Sequence, residues 1–571
     1  MPDRLMTDLN ILIGGAAGQG VHSISLPLGK ALVRHGLRVH MLQDYQSRIR
    51  GGHLFNVLRV GEASLLSPRE GVDLLVALNQ ETVALHREEL SPPGLIIYDV
   101  EQVKEVPAGV PSLGLSHETL LPGAAAGEIA LNAGAAGAIL GLLGVPVEGL
   151  AGLLEATFAD KGPEVAAWNR AAAQRGHEMA RERQSPFDFS RVSPPPSPRL
   201  LLSGHEGMAL GALAAGLNFI CGYPMTPWTS LFNAVSLRAA RWGVVVEQTE
   251  DEIAAINMAL GASFAGARAL TGTSGGGFCL MTEGVGLAAM TETPLVVVVA
   301  MRPGPSTGLP TRTGQGDLGF VLSAGQDDSP RALFTPGTPA QGYALMVRAL
   351  NFADKYQLPV FILTDQYFGD SQVTHEADEF PPAAVERFLD GGAKAGYERY
   401  ALRESGISPR RLPGFGPGLV VADSDEHTPD GHLTEDLEVR VKMHEKRLRK
   451  LEGLRGELSG ITAAGPADAP LALVCWGSTL GPAAEAVSRL NAENTPVRLV
   501  HLSELWPFPR QAVASVLAGA RKLVVVEGNA CGQLNRLLRQ ETGLAADHLV
   551  LRYDGRPFTP EYLLRGLAGV V

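Results

Sequence analysis

Four polar elements stand where runs of β-branched or apolar residues give way to helix-like stretches: Thr226 in Gly222-Tyr-Pro-Met-Thr-Pro227, the acids Glu250-Asp251-Glu252, Ser274 in Thr271-Gly-Thr-Ser-Gly-Gly-Gly277, and Arg302 after the run Pro294 to Ala300. Each residue type brings a definite chemistry. A guanidinium is a planar fork that suits a carboxylate, and an arginine at the end of a central strand is uncommon unless it pairs. A hydroxyl near a helix N-terminus, as at Thr226, either caps that helix or donates to a bound carboxylate or carbonyl. A glutamate at a strand-to-helix turn lies where open α/β sheets bind ligands. The four elements together describe an anion anchor, hydroxyl donors and an acid able to hold or relay a proton.

These residues need elements to position them. Val244 to Val246 read as the end of a buried strand, and Ile253, Ile256, Leu260 and Phe264 recur at helical spacing, with Ala and Gly between them for close packing on a sheet. Thr249-Glu250-Asp251-Glu252 also reads as a capping box with Thr249 at the N-cap, and acids in a first turn complement the helix dipole. Gly204 to Gly216 reads as a small-residue helix, Phe219 to Cys221 and Pro294 to Ala300 as strands, and Thr271 to Gly277 as a glycine-rich loop.

A chain of 571 residues is too long for one core, so several domains are expected. A net charge of -12 leaves no electrostatic footprint for nucleic acid or an anionic membrane. The opening has neither a basic nor an apolar leader region, and later apolar runs are strand-sized, so a cytoplasmic location is expected. Cys221, Cys279, Cys475 and Cys531 lie far apart, which signals no metal ligand set, cluster or disulfide on this chain.

Residues 1–185 form a first unit, in which Gly14-Gly-Ala-Ala-Gly-Gln-Gly20 opens a helix at Val21 to His35 and could cradle phosphate. The spacing is not the dinucleotide fingerprint, and Val39 to Tyr45 is read as offering no ribose-binding acid at the second strand's end, so a tight structural turn is favoured. Arg48-Ile-Arg-Gly-Gly-His53 could hold an anion or form surface. The small residues of Asn132 to Gly144 suit close helix packing. A proline-stiffened linker spans 186–199 and the second unit 200–375. Residues 376–467 read as a polar linking segment on the surface, with a helix around Glu438 to Leu454 and His427 in a solvated loop. Residues 468–571 alternate strands Leu471 to Trp476, Val497 to Leu502 and Leu523 to Val526 with helices, a small α/β domain.

Several of these motifs, in this order, resemble the α subunit of a 2-oxoacid:ferredoxin oxidoreductase of the 2-oxoglutarate type with a γ domain fused at its N-terminus. They are Gly14 to Gly20 and Asn132 to Pro146, then Gly222-Tyr-Pro-Met-Thr-Pro227, Glu247-Gln-Thr-Glu-Asp-Glu-Ile-Ala-Ala255, Thr273-Ser-Gly275, and Gly304-Pro-Ser-Thr-Gly-Leu-Pro-Thr311 with Gln315-Gly-Asp317. The resemblance implies a multidomain α/β chain: a γ-type domain, a pyrimidine-type thiamine diphosphate-binding domain, and a transketolase C-terminal-like domain that serves mainly for assembly. It implies Glu252 as the acid that hydrogen-bonds the cofactor's aminopyrimidine, with Glu250, Thr273, Ser274 and Gly275 also on the cofactor. Arg302 and Thr226 are implied for the substrate. No Gly-Asp-Gly diphosphate motif and no cysteine-rich segment is found, so a β subunit is expected to bring Mg2+, the diphosphate contacts and a [4Fe-4S] cluster, in an (αβ)2 assembly with ferredoxin as partner. The implied reaction is oxidative decarboxylation of a 2-oxoacid, 2-oxoglutarate foremost, with coenzyme A. An indolepyruvate or branched-chain 2-oxoacid enzyme is the alternative within the class, and a nucleotide-binding scaffold built on the Gly14 loop the alternative outside it.

Overall fold

A computed structural model describes residues 8–46, 52–123, 127–183, 185, 187–391, 396–416 and 418–570. The chain divides into two compact units, residues 1–202 with 371–379 and 559–561, and residues 203–370 with 380–558 and 562–571.

The first unit is built on an eight-stranded sheet. It contains β1 (Asp8–Ala16), β2 (Arg38–Asp44), β3 (His53–Gly61), β4 (Val72–Ala77), β5 (Leu90–Asp99), β6 (Ser112–Leu115) and β7 (Arg199–Ser203), in the order β6-β5-β4-β1-β3-β2, then Gln372–Glu376, then β7. The strand Gln372–Glu376 thus belongs here and not, as its place in the chain suggests, to the second unit. It pairs antiparallel with β2, and the Val39 N–H donates to the Thr374 hydroxyl at 2.8 Å.

β1 runs antiparallel to β3 and parallel to β4. β2 does end on an acid, Asp44, contrary to the sequence reading, but β3 separates it from β1, so the parallel neighbour of a dinucleotide fold is missing. Gly14 and Gly15, at the end of β1, are there for packing, whereas Gly18 and Gly20 hold positive φ. A Cβ on Gly14 would sit 2.6 Å from Thr82 Cγ2, and one on Gly15 2.9 Å from Gln19 Oε1. The helix that follows, α1 (Val21–His35), starts where expected. Asn132 lies on α2 (Gly127–Leu142), whose glycines let α3 (Pro163–Arg181) approach: a Cβ on Gly137 would fall 1.9 Å from the Ala173 carbonyl oxygen. Of the basic loop before β3, Arg48 to Gly51 lie outside the described residues.

The second unit carries a seven-stranded sheet in the order Glu504–Trp506, β12 (Ala332–Phe334), β13 (Pro359–Asp365), β11 (Leu295–Met301), β10 (Ala269–Thr273), β8 (Phe219–Gly222), β9 (Val245–Gln248). All neighbours are parallel except the pair made by Glu504–Trp506. Every residue of β10, β11 and β13 is buried, and β11 accordingly reads as an unbroken apolar run. β9 is an edge strand, and Val245 on it is 56% exposed, so the valine run is not the buried strand it resembles. The helices α4 (Gly204–Ala214), α5 (Thr229–Ser236), α6 (Glu252–Phe264) and α7 (Gly275–Met290) connect these strands. A smaller sheet centred on Leu471–Trp476, flanked in parallel by Val497–Leu502 and Lys522–Glu527, forms the C-terminal α/β fold.

The segment after 376 is not a surface linker. Its long helix α8 (Leu437–Glu457) inserts Lys446 and Lys450, whose ammonium groups each lie 2.5 Å from the Glu292 carboxylate, all three side chains 0% exposed. Burial alone would raise the Glu292 carboxyl, yet the two ammonium groups hold it well below the usual carboxylate range. Asp354, also buried, accepts from Arg268, Arg387 and Arg410. His427 is buried with its ring centroid 4.0 Å from that of Tyr400, not solvated as expected. The basic residues that make the segment look solvent-facing spend their charge inward.

Candidate active site

The turn from β9 into α6 sets the position of one acid. Thr249 donates its hydroxyl to the Asp251 carbonyl at 2.9 Å, and Asp251, in extended conformation, accepts from the Ala254 N–H at 2.8 Å as the N-cap. The expected capping box on Thr249 is therefore absent, because Thr249 is spent on closing the turn and Asp251 takes the cap. Glu252 becomes the first residue of α6 and is released from any capping duty. The helix buries Glu252, Ala255, Ile256, Ala259, Leu260 and Ser263, while Ile253 faces out, so the apolar stripe is rotated from the one read off the sequence.

Glu252 is only 3% exposed, and its Oε1 accepts from the Thr273 hydroxyl at 3.0 Å. Burying a carboxylate is costly unless it is hydrogen-bonded or used in function. Thr273 ends β10, and the next residues turn at once into α7, so the glycine-rich stretch is a strand end and a first helical turn, not a loop. A Cβ on Gly277 would lie 2.1 Å from Thr273 Oγ1 and 2.2 Å from Glu252 Oε1. We expect Gly277→Ala to push this pair apart and lower turnover by about tenfold, less than removing the acid itself. A stopped-time assay of the assembled enzyme, with circular dichroism as a folding control, checks this; unchanged turnover would separate the pair from the chemistry.

Two loops form the other side of the site. α5 begins at Thr229 with Trp228 at its N-cap, so Thr226 does not cap it. Instead the Thr226 carbonyl accepts from Arg302 Nη1 at 2.6 Å. Arg302 follows β11 directly, and burial draws its pKa down. Among the described residues no carboxylate pairs with it. The loops meet the acid through Met225, whose sulfur lies 3.7 Å from the Thr273 hydroxyl.

On the other flank, Ser274 is the N-cap of α7, 1% exposed, and its hydroxyl has no hydrogen-bond partner. Gly275 beside it leaves room for Asp317, whose Oδ2 lies 2.4 Å from where a Cβ would be. Asp317 Oδ2 also lacks a partner, and burial pushes its carboxyl up to about 6. The structure thus brings together Thr226, Glu252, Thr273, Ser274, Gly275 and Arg302 as expected, and adds Asp317, which the sequence marked only as part of Gln315-Gly-Asp317. Glu250 stays outside, exposed and without a hydrogen-bond partner among the described residues. A cavity of about 600 Å3 opens at the far end of α7, lined by Glu283, Asp327, Arg440 and His444, away from these groups.

Comparison with known proteins now bears on what this arrangement is. Residues 210–446 match the family described as pyruvate flavodoxin/ferredoxin oxidoreductase, thiamine diphosphate-binding, residues 10–179 the pyruvate ferredoxin/flavodoxin oxidoreductase family, and residues 469–563 the pyruvate:ferredoxin oxidoreductase core domain II. The α subunit of 2-oxoacid:ferredoxin oxidoreductase 2 from Aeropyrum pernix is 33% identical, over 97% of this chain and 96% of its own. The chain belongs to the α subunits of the 2-oxoacid:ferredoxin oxidoreductases. This α subunit is also 29% identical to the 2-oxoglutarate synthase subunit KorA of Methanothermobacter marburgensis, over 65% of this chain and 98% of that one. A solved 2-oxoglutarate:ferredoxin oxidoreductase from Magnetococcus marinus, with 2-oxoglutarate, coenzyme A and succinyl-CoA bound, superposes with a TM-score of 0.89 at 31% identity, over 99% of each chain.

The site lies wholly inside the α subunit's thiamine diphosphate-binding region. Its residues fit the ring end of such a cofactor. A buried carboxylate offers an acceptor for a ring nitrogen, an orphaned buried hydroxyl offers a second polar contact, and Gly275 and Gly277 leave room for Asp317 and for the Thr273–Glu252 pair. Among the described residues, no helix is long and apolar enough to cross a membrane.

Proposed function

We propose that this α subunit, joined to a β subunit, carries out the oxidative decarboxylation of 2-oxoglutarate with coenzyme A, passing electrons to ferredoxin in the cytoplasm. The observation that carries the reading is the buried Glu252, hydrogen-bonded by Thr273, within one loop of an arginine that no acid among the described residues neutralises. The preference for 2-oxoglutarate is supported by the likeness to the Magnetococcus marinus enzyme and to the KorA subunit.

Bound thiamine diphosphate supplies the carbon nucleophile and electron sink of such a reaction. This chain's part is orientation and proton placement. Glu252 holds the proton exchanged with the pyrimidine ring, Thr273 fixes the carboxylate by its 3.0 Å hydrogen bond, and Ser274 and Gly275 line the same end. Arg302 keeps one N–H on the Thr226 carbonyl and has further donors for the substrate carboxylate, which the Thr226 hydroxyl can also reach.

A β subunit supplying Mg2+, the diphosphate contacts and a [4Fe-4S] cluster is supported by the four cysteines here, which lie far apart in the sequence without cluster spacing. It is supported too by the exposure of the apolar side chains Val245 on β9, Ile253 and Met258 on α6, and Leu280 on α7. The expected unit is an αβ pair doubled by symmetry. Native mass measurement and a substrate panel on the co-expressed complex test the reading. Turnover is expected only in the complex, with 2-oxoglutarate preferred over pyruvate and indolepyruvate; an isolated α subunit that turned over a 2-oxoacid would refute it.

A further inference from the structure

Beyond Arg302 the chain recrosses the start of α7. A Cβ on Gly276 would lie 3.7 Å from the Ser306 carbonyl oxygen, and one on Gly275 meets Asp317. The parallel sheet reaches this return at Thr313, whose hydroxyl accepts from the Tyr367 N–H at 3.3 Å just past β13. Beyond it the C-terminal α/β fold takes hold through Gln315, which is 2% exposed and has each of its polar groups engaged there.

Its N–H donates to the Gly528 carbonyl at 2.7 Å, and the Gly528 N–H donates back to Oε1 at 2.8 Å. Nε2 donates to the Trp476 carbonyl at 3.0 Å, and Asn529 Nδ2 donates to the Gln315 carbonyl at 3.1 Å. Gln533 extends the clamp, giving to the Gly316 carbonyl at 2.6 Å and accepting from the Gly319 N–H at 2.9 Å. The fit is close on both sides, since a Cβ on Gly477 or Gly528 would lie 3.0 Å or 3.2 Å from Gln315. Two residues further on stands Asp317, whose Oδ2 has no hydrogen-bond partner and lies against Gly275, the chain neighbour of Ser274 with its orphaned hydroxyl.

We propose that Gln315 is a positioning residue: through it the C-terminal α/β fold holds Asp317 against Gly275 at the edge of the active site, where Asp317 faces the bound reactants. The proposal rests on the function above and extends it, because it gives the C-terminal domain a part in the reaction beyond assembly. Asp317 is ionised above about pH 6 and protonated below, so kcat/KM should show an inflection there. Loosening the clamp admits water to the carboxyl and returns its pKa toward the ordinary carboxylate range, which moves the inflection to lower pH.

The test uses the co-expressed complex, with Gln315→Ala, Gln533→Ala and Asp317→Asn. Hydrogen exchange should quicken over residues 312–319 in both glutamine variants while the strand Leu471–Trp476 stays protected. kcat should fall about tenfold or more in Gln315→Ala, the scale of a misplacement near 1 Å, and less in Gln533→Ala. The pH inflection should shift down in Gln315→Ala and vanish in Asp317→Asn. Faster exchange with kcat, KM and the inflection all unchanged would make the clamp purely structural and overturn the proposal. Should Gln315→Ala fail to fold, the same readouts on Gln533→Ala decide. A wild-type complex inactive toward every 2-oxoacid would remove the function reading, while the exchange data would still report on the clamp.

Discussion

Glu252→Gln in the assembled enzyme is expected to fold normally and to lose turnover by a factor on the order of a hundred or more. The amide keeps the volume and can still accept from Thr273 at the position of Oε1, now 3.0 Å from its hydroxyl. It cannot take and return a proton. The helix is not at risk, because Asp251 and not Glu252 makes the cap. Glu250→Gln should change turnover by less than about twofold, as expected of an exposed acid whose only service is to the helix dipole. Steady-state kcat at saturating substrate, beside a thermal midpoint for each variant, reads both. The reverse pattern, with Glu250→Gln inactive and Glu252→Gln active, would move the proton-holding role two residues back.

Arg302→Lys should raise the apparent KM for the 2-oxoacid by roughly ten- to a hundredfold with little change in thiamine diphosphate affinity. A guanidinium can keep one N–H on the Thr226 carbonyl and still present a fork to a carboxylate, whereas an ammonium offers a point charge that must choose. Thr226→Val removes the hydroxyl but keeps the carbonyl that holds Arg302, so its effect should be smaller and in the same direction. Substrate titrations and cofactor binding by fluorescence quenching separate these roles. Loss of cofactor affinity equal in the two variants would mean that the pair shapes the loop and does not anchor substrate.

What was readable in the sequence, and what was not, follows from how local the cause is. The central strand β11 announces itself because both faces are covered and every position is apolar, whereas β10, equally buried, carries Thr271, Gly272 and Thr273 and reads as a loop. The edge strand β9 carries the same valines for a different reason, and no local feature distinguishes it. Thr249 and Asp251 are both good caps, and only the turn geometry decides between them. The glycines of 271–277 look like loop punctuation, whereas Gly272 makes room for Trp228 and Gly277 for Glu252, partners far away in the chain. Glu252 and Arg302 stand out through their likeness to a known motif, and the structure adds burial beside a hydroxyl for one and, among the described residues, no acid partner for the other. Asp317 escaped notice because its importance depends on the C-terminal fold that places it.

The salt-bridged core of Glu292, Lys446 and Lys450 has a consequence for how this unit comes apart. Were α8 to peel away by itself, the Glu292 carboxylate at the end of α7 would lose both ammonium partners and the two lysines their acid, a change costing on the order of 3–5 kcal/mol. That penalty removes half-detached forms from the population, so residues 380–457 and the parallel sheet should melt in one transition and share one slow hydrogen-exchange class. A protease cut in the loops before α8 would then leave two fragments that stay together until the sheet itself unfolds.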